Sequence, residues 1–300
     1  MNVIECKDVT KSYRRANALN GLSFTIEENK IVGLVGRNGA GKTTLMKILA
    51  GFLRETSGEV NVFSERPFNH LFVSANSIFI DEHMHFPSKM SLADIVKEAN
   101  YFYKNWACEL ADQLIDYFNL DRHRLHKHLS KGQRSTFNML IGIASRCPLT
   151  ILDEPAAGMD TAVRKDMYRA LLKDYIAYPR TILFSSHHIE EIEDILEEVL
   201  LIDEGEKHLH LSMDDLQEAT IGFTGKEALV YPLLIDQDIL SAKKIGREDV
   251  RVIAKNRFTT EGLQTMKQAG VHLFSVSASD ACVHLTAKTS GGIDDVFNGS

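Results

Sequence analysis

A glycine-rich stretch near the amino terminus carries the residues that most clearly predict chemistry. It fits the pattern G-x-x-x-x-G-K-[ST] and lies between an apolar run and a segment of helical period. Glycines lack Cβ atoms, so consecutive backbone N–H groups can converge on phosphate oxygens at a positive helix end. The alternative is a glycine turn that only caps the helix. The residues are Gly36, Arg37, Asn38, Gly39, Ala40, Gly41, Lys42 and Thr43, followed by Thr44.

Two of these side chains predict a site for a nucleoside triphosphate with its metal. Lys42 would reach the β- and γ-phosphates, and the Thr43 hydroxyl would take a Mg²⁺ position. Hydrolysis would also need a carboxylate for the metal and a group that polarises the attacking water. Asp153 and Glu154 end the apolar run Ile151-Leu152. We assign Asp153 to the metal, mostly through water, and Glu154 to the water as general base; the alternative is a pair of solvated turn acids.

The elements that must position these residues alternate between strands and helices. Apolar runs at 30–36, 148–154 and 181–186 predict buried strands, and segments of helical period at 42–53 and 162–176 follow the phosphate stretch and the acid pair. This alternation is typical of an α/β fold with parallel strands. Spacings of three and four from 91 to 118 predict a helical insertion over about 87–147, interrupted at Trp106, which is interpreted as a buried hinge residue.

The carboxy-terminal part of the chain has a different texture and is predicted to be a small α+β appendage. Strand-like alternation recurs at 250–254, 271–276 and 282–286, and one helical stretch covers 260–270. The predicted domains are therefore 1–211 and 212–300. The last dozen residues, rich in glycine and serine, favour a loose end.

Composition excludes several classes of protein. The 300 residues are 44% hydrophobic and 25% charged, no run of eighteen apolar residues occurs, and the start MNVIECKDVTKSY lacks the pattern of a secretion signal. The net charge is −7, and the stretch 190–206 alone contains nine acids, so the rest of the chain is near neutral. It has no basic stripe for a phosphate backbone, and no nucleic-acid partner is expected. Four widely spaced cysteines indicate reduced thiols in a cytoplasm, each interpreted as a small core residue: Cys6, Cys108, Cys147 and Cys282.

Further motifs carry a family resemblance over residues 1 to about 210. The segment Leu129-Ser130-Lys131-Gly132-Gln133 opens a helical stretch and resembles the LSGGQ signature of ATP-binding-cassette (ABC) proteins. His187, directly after a predicted strand, resembles the switch histidine that contacts the γ-phosphate. Tyr13 matches the aromatic residue that stacks on adenine, and Gly158-Met159-Asp160 resembles the D-loop, which crosses the dimer. The sequence is most similar to stand-alone ATPase subunits of ABC-2 type exporters in Gram-positive bacteria, partly because 280–286 resembles their closing strand.

The resemblance implies a P-loop NTPase core of ABC ATPase type with an inserted helical subdomain. Two cassettes would pack head to tail, each ATP lying between the phosphate loop of one and the signature of the other. Hydrolysis would involve Glu154, His187 and Lys42. Nucleotide contacts would come from Tyr13, the phosphate loop from Gly36 to Thr44, Ser130, Lys131, Gly132, Gln133 and Asp160, and the metal would be held by Thr43, Asp153 and Asp81.

Two positions depart from the family pattern. Asp81, followed by Glu82, stands where a Q-loop glutamine is usual; it can still ligate Mg²⁺ or its water, but its charge should weaken nucleotide binding unless the metal offsets it. Lys131 replaces a signature glycine, and it would either contact the γ-phosphate or point to solvent. Histidines such as His83, His126 and His210 lack a recognised ligand pattern, which disfavours a separate metal site.

The resemblance implies the ATP-hydrolysing subunit of an ABC transporter, the energy source of an exporter, with ATP and Mg²⁺ as ligands. Its expected partners are a separate transmembrane permease subunit, docked near 81–91, and a second nucleotide-binding domain in a homodimer or heterodimer. It would lie in the cytoplasm, peripheral on the inner face of the membrane. The alternatives are a soluble ABC ATPase acting on ribosomes or chromosomes and a nucleotide-dependent regulator.

Overall fold

The computed structural model describes residues 1–14, 16–186, 189–234 and 239–286. Contacts between residues divide the chain into two compact units, Met1–Leu211 and Ser212–Ser300. The two units are described separately below.

The first unit alternates strands and helices, with 3-10 turns at His126–His128, Ile189–Glu191 and Glu193–Ile195. In chain order the strands and helices are β1 (Asn2–Tyr13), β2 (Ala16–Glu27), β3 (Ile31–Val35), α1 (Lys42–Leu49), β4 (Ser57–Val62), α2 (Leu71–Asn76), β5 (Ser77–Ile80), α3 (Leu92–Phe102), α4 (Cys108–Tyr117), α5 (Lys131–Ser145), β6 (Leu149–Asp153), α6 (Thr161–Ala177), β7 (Thr181–Ser186), β8 (Glu198–Asp203) and β9 (Glu206–Ser212).

A mixed sheet at the centre of this unit brings several strand ends to one edge. Its order within the described residues is β5-β6-β7-β3-β8-β9, and the four pairings from β5 to β8 are parallel. β3, β6 and β7 are buried along their whole length, which explains why they are continuous apolar runs in the sequence. Ile80 pairs with Leu152, Asp153 with Ser185, and Val35 with Ser186, so the residues that follow these strands meet at one edge. The predicted α/β core is confirmed.

An antiparallel sheet of order β2-β1-β4 packs on this core through shared apolar side chains. Ile4 and Leu22 from the antiparallel sheet, Leu45 from α1 and Leu34 from β3 are fully buried in the same cluster. α1 is thereby held between the two sheets with its amino terminus at the edge described above. This packing holds α1 in one place and so fixes the loop that precedes it.

Helices α3, α4 and α5 form the helical part of the unit. Ser91 and Asp94 make a capping box at the start of α3, and the chain breaks between α3 and α4 at residues 103–107. Trp106 lies in that break, half-buried and stacked on Tyr103. α5 is the most buried of the three helices, because every residue from Ser135 to Ser145 is inside.

The second unit is an α+β fold built on antiparallel pairs of order β11-β12-β10-β13. Phe223, Val252 and Met266 lie in its core. Its elements are α7 (Met213–Glu218), β10 (Thr220–Lys226), α8 (Glu227–Leu233), β11 (Ile239–Ile245), β12 (Asp249–Lys255), α9 (Thr260–Gln268), β13 (His272–Ser275) and α10 (Ala278–Thr286).

Three expectations need correction or completion. The strand predicted at 282–286, and the closing strand seen in 280–286, are wrong because this segment is helix α10. Ala278, Ala281 and Cys282 are buried at helical spacing, and Ser277 Oγ accepts the Asp280 N–H at the helix start. Cys108 is exposed rather than in the core, unlike the other three cysteines.

In the part of the chain that the structure describes, no helix is long and apolar enough to cross a membrane.

Candidate functional site

The glycine-rich stretch forms a loop between β3 and α1 that is open on its outer side. Arg37, Asn38 and Gly39 are exposed, and a Cβ added at Gly39, where φ is +86°, would have no atom within 4 Å. The loop therefore leaves space for a ligand directly before the first turn of α1. A loop of backbone N–H groups at a helix amino terminus is suited to phosphate.

Lys42 lies against the backbone of this loop. Its Nζ donates hydrogen bonds to the carbonyl oxygens of Gly36 at 2.7 Å and Arg37 at 3.3 Å. Burial lowers the pKa of Lys42 from its ordinary value, and the negative charges of Glu154 and Asp153 act in the opposite direction. The buried ammonium itself favours an anion at the loop, whereas Glu154 and Asp153 oppose one unless a cation offsets their charge.

Asp153 is the centre of a short hydrogen-bond network at the end of β6. Its Oδ2 accepts from the Thr43 hydroxyl at 2.6 Å, and its Oδ1 accepts from the Ser185 hydroxyl at 2.6 Å. The Ser185 Oγ also accepts the backbone N–H of Glu154 at 2.9 Å. Ser185 is fully buried in β7, and Asp153 is buried at the adjacent register position. The phosphate loop and the acid pair are therefore connected, although they are far apart in the sequence.

Glu154 leaves β6 with a left-handed backbone, φ +47°. A residue with a Cβ is uncommon in this region of conformational space, and such residues concentrate at functional sites. The half-buried Glu154 is close enough for its charge to act on Lys42. The structure therefore brings together Lys42, Thr43, Asp153 and Glu154, four of the residues predicted from the sequence.

The signature-like segment begins α5 and packs on the loop after β6. Ser130 and Gln133 form a capping box, each side chain bonding the other's backbone N–H at 3.3 Å. A Cβ at Gly132 would lie 2.5 Å from the carbonyl oxygen of Gly158, so only glycine permits this approach. Ser135 Oγ donates to the Ala157 carbonyl oxygen at 2.7 Å. The signature segment and the D-loop-like segment are thus in direct contact within one cassette.

Asp81 directly follows β5 and so lies beside Asp153 at the edge of the sheet. Its Oδ1 accepts the backbone N–H of His83 at 3.0 Å, and its carbonyl oxygen accepts from Met84 N–H at 3.2 Å. Asp81 therefore holds a tight turn. The next residue, Glu82, pairs with Lys131: Oε2 lies 2.8 Å from Nζ. Neither expectation for Lys131, a phosphate contact or a solvated side chain, includes this partner.

The remaining predicted residues lie at the periphery or outside the described residues. Tyr13, near the tip of the β1–β2 hairpin, is 49% exposed, with Lys11 Nζ 5.4 Å from the centre of its ring. Asp160 caps α6 by accepting the N–H groups of Ala162 and Val163. His187, assigned to the γ-phosphate, lies outside the described residues, as does His188.

Sequence reasoning missed two residues of this region. Ser185 belongs to the buried run at 181–186, where a polar residue at the end of an apolar strand was the available signal. Glu82 was named only as the neighbour of Asp81, because its contact depends on tertiary structure. Of the histidines, His126 bonds Asn138 in the interior and His210 bonds Glu198. Among the described residues no group of three His, Cys, Asp or Glu side chains is arranged to hold a metal ion.

The fold and this arrangement define a P-loop ATPase of the ATP-binding-cassette class. Residues 19–157 match the family model described as ABC transporter. These residues therefore form an ABC transporter domain, and the resemblance to this family, the fold class and an ATP-binding ATPase, as predicted from the sequence, are confirmed.

Named relatives agree with this assignment. The chain is 26% identical over 219 residues to the ABC transporter ATP-binding protein YtrB of Bacillus subtilis, covering 73% of this chain and 75% of YtrB. It is 29% identical over 223 residues to the uncharacterized ABC transporter ATP-binding protein YdbJ of the same organism, covering 73% and 72%. A solved ATP-binding cassette, a dimer in a post-hydrolysis state bound to ADP and Pi, superimposes with a TM-score of 0.62 at 18% identity, covering 70% and 98%. This last likeness concerns the fold.

Proposed function

We propose that this chain is the ATP-hydrolysing subunit of an ABC exporter, which drives a separate transmembrane subunit through ATP-dependent dimerisation. One observation carries the proposal. Lys42, Thr43, Asp153 and Glu154 come from two distant segments of the chain and meet at the edge of the sheet where the phosphate loop opens. Each has the chemistry that phosphoryl transfer to water requires.

The phosphate loop and Lys42 bind the triphosphate. The exposed backbone from Arg37 to Gly39 receives phosphate oxygens, and Lys42 exchanges its loop carbonyl partners for them. Because the ammonium is already buried, little water has to be removed from it when the anion arrives. Its positive charge then stabilises the negative charge that develops on the transferred phosphoryl group.

Thr43 and Asp153 fit a Mg²⁺ site. A hydroxyl and a carboxylate whose oxygens lie 2.6 Å apart offer the hard oxygen ligands that Mg²⁺ prefers, and the carboxylate is held by Ser185 on its other oxygen. When bound, the ion neutralises charge on the β- and γ-phosphate oxygens. Asp81, beside Asp153 at the sheet edge, adds a third oxygen donor, directly or through water.

Glu154 acts as the general base. It follows Asp153 at the strand end, and its backbone N–H is anchored by Ser185, so the backbone that carries the carboxylate is fixed by a buried residue. A water held between this carboxylate and the γ-phosphate would lose its proton as it attacks. We assign to His187 a hydrogen bond to the same phosphate.

The signature segment would complete the site of a second cassette. Ser130, Gly132, Gln133 and Lys131 begin a helix of fifteen residues, whose positive end suits the γ-phosphate of a neighbouring nucleotide. Gly132 lies against Gly158 of the D-loop-like segment, so both segments would contact the partner cassette together. ATP at this interface would hold two cassettes together, and hydrolysis would release them.

A groove beside the Asp81 turn supplies a surface for the transmembrane subunit. It has a volume of about 590 Å³ and includes exposed aromatic side chains, Phe52 at 63% and Phe102 at 74%. Exposed aromatic residues next to a groove are typical of protein-binding surfaces. The groove is lined by Lys47, Ala50, Phe52, Leu53, Ser74, Ser77, Ile78, Phe79, Asp81, Met84, Phe102 and Tyr103.

The direction of transport and the cellular location are supported by resemblance. The sequence resembles ATPase subunits of ABC-2 type exporters, and such a subunit lies in the cytoplasm, peripheral on the inner face of the membrane. Contact with the bilayer would occur only through the permease. The two nucleotide-binding domains would be two copies of this chain or this chain with a related one.

The proposal is tested by isolating the protein from its own cells in mild detergent with ATP and Mg²⁺. We expect mass spectrometry to find a polytopic membrane protein in stoichiometric amount. Phe102→Asp should remove this partner, whereas Ile176→Asp, which alters a residue 70% exposed on α6, should retain it. Recovery of ribosomes, or of no membrane protein with the wild type, would replace the transporter function by that of a soluble ABC ATPase.

A further inference from the structure

The two departures from the family pattern lie next to each other in space. Lys131, which replaces a signature glycine, forms an ion pair with Glu82, which follows the acid at the Q-loop position. Lys131 Nζ and Glu82 Oε2 lie 2.8 Å apart, which is the distance of a direct hydrogen bond between charged groups. The pair joins two segments that are 49 residues apart in the sequence.

Gly158 makes room for this lysine. The residue has φ +80°, and a Cβ there would lie 2.9 Å from Lys131 Cγ. The aliphatic part of the lysine therefore runs along the backbone of the loop after Glu154, and only its ammonium end reaches Glu82. Three segments meet at one side chain: the start of α5, the loop at 158 and the turn at 81–84.

The position of the lysine is electrostatically unusual. Lys131 is the first residue of α5, and a cation at the positive end of a helix is unfavourable unless an anion lies nearby. Glu82 supplies that anion. The side chains are 63% and 41% exposed, so the pair is weak and can exchange partners in water.

We infer that the Glu82 carboxylate pairs with Lys131 where the γ-phosphate of a second copy's nucleotide would bind. ATP displaces this carboxylate when two cassettes associate. The inference rests on the proposed function, because it needs the signature segment to face the nucleotide of the other subunit. A triphosphate carries several negative charges and outcompetes one exposed carboxylate. Glu82 is thus a positioning residue, which holds the lysine ready and delays its contact with nucleotide.

The exchange has a consequence for the rest of the cassette. Glu82 belongs to a turn held by the Asp81 hydrogen bonds to His83 N–H and Met84 N–H, so a change at Glu82 affects Asp81 as well. Asp81 lines the groove assigned to the transmembrane subunit. Release of Glu82 would therefore couple ATP binding at the signature segment to this groove. The glutamine that usually stands at the position of Asp81 is absent and cannot provide this coupling.

A double-mutant cycle on the full chain tests the inference. Glu82→Gln, Lys131→Gln and the double variant are compared with wild type for ATP-dependent association of the catalytically impaired Glu154→Gln protein, and for KM and kcat in the otherwise unchanged protein. We expect Glu82→Gln to lower the half-saturating ATP concentration and KM by about two- to fivefold at constant kcat, as for loss of a weak competing ion pair. Lys131→Gln should raise both concentrations.

The double variant is decisive. Once Lys131 is neutral, Glu82→Gln should have no further effect, because the competition no longer exists. Additive effects, or a Glu82→Gln variant that requires as much ATP as wild type or more, would show that the pair has only a structural role. Glu98→Gln, an exposed acid of α3, serves as the control for charge. If cassettes that carry only Glu154→Gln do not associate with each other in the presence of ATP, the proposed function itself fails. If they associate but the effects of Glu82→Gln and Lys131→Gln are additive, this inference alone is overturned.

Discussion

Two parts of the cassette hold their functional residues in different ways. At the sheet edge, Asp153 and Ser185 are buried, and hydrogen bonds of 2.6 Å fix the carboxylate from both sides. At the start of α5, the side chains of Lys131 and Glu82 are 63% and 41% exposed and share one ion pair. The first arrangement resists change during a reaction, whereas the second is easily exchanged.

The difference follows from what each part has to do. Hydrolysis needs groups that are aligned before the transition state forms, and burial with complete hydrogen bonding achieves this alignment. Association and release of a partner need contacts that form and break at low cost, which exposed charges provide. The largest mutational effects are therefore expected at the sheet edge and the smallest at the acidic turn.

Glu154→Gln should have the largest effect. The amide keeps the shape of the side chain but cannot take a proton from water, so turnover should fall by ~10²-fold or more while ATP binding is retained. Turnover and nucleotide binding are measured on the same preparation, with Glu59→Gln on β4 as an exposed control. Near-normal turnover would remove Glu154 from the role of general base and weaken the contrast between the two parts.

Lys42→Ala tests whether the buried ammonium holds the phosphates. Hydrogen bonds to a charged group contribute about 1.5–3 kcal/mol, so ATP affinity should fall roughly 10- to 100-fold. Titration with a fluorescent ATP analogue measures the change, and Lys104→Ala removes an exposed lysine for comparison. Unchanged affinity would contradict the assignment of the phosphate loop.

Ser185→Ala tests the buried support of the acid pair. The change leaves Asp153 Oδ1 and the Glu154 N–H without their partner, which should cost about 1–3 kcal/mol of unfolding free energy. Turnover should fall about tenfold through misalignment, with little change in KM. Ser145→Ala, another buried serine bonded to Gly142, should lower stability without lowering kcat. Equal loss of kcat in both variants would make Ser185 a purely structural residue.

The sequence predicted the sheet-edge part well because its information is local. A glycine pattern, a buried strand ending in two acids and the order of strands and helices each occupy a few consecutive residues. Parallel strands then bring their ends to one edge without further information. Ser185 escaped prediction because its local signal, a polar residue at the end of an apolar strand, is the same whether the serine supports a carboxylate or only ends the strand.

The exposed part and the second unit were harder to predict for physical reasons. The contact between Lys131 and Glu82 depends on how α5 packs beside the turn at 81–84, which no spacing in the sequence encodes. In α10, Cys282, His284 and Thr286 alternate with their neighbours like a strand, but burial of Ala278, Ala281 and Cys282 at helical spacing determines the outcome. Short segments of this kind satisfy both periodicities, and tertiary packing decides between them.

Asp81→Gln should have the smallest effect of these four substitutions. It also joins the two parts, because Asp81 lies beside Asp153 and precedes Glu82. Removing its charge should strengthen binding of metal-free ATP about fivefold, the size of one partly screened charge interaction. It should also raise the Mg²⁺ concentration needed for half-maximal hydrolysis, since one oxygen donor loses its charge. Both are measured by titration, with and without chelator. Asp121→Gln is the matched control, because Asp121 Oδ1 accepts the His123 N–H at 3.0 Å in the same kind of turn. If the two variants behave alike, Asp81 only holds its turn, and the exchange at Glu82 would have to reach the groove without it.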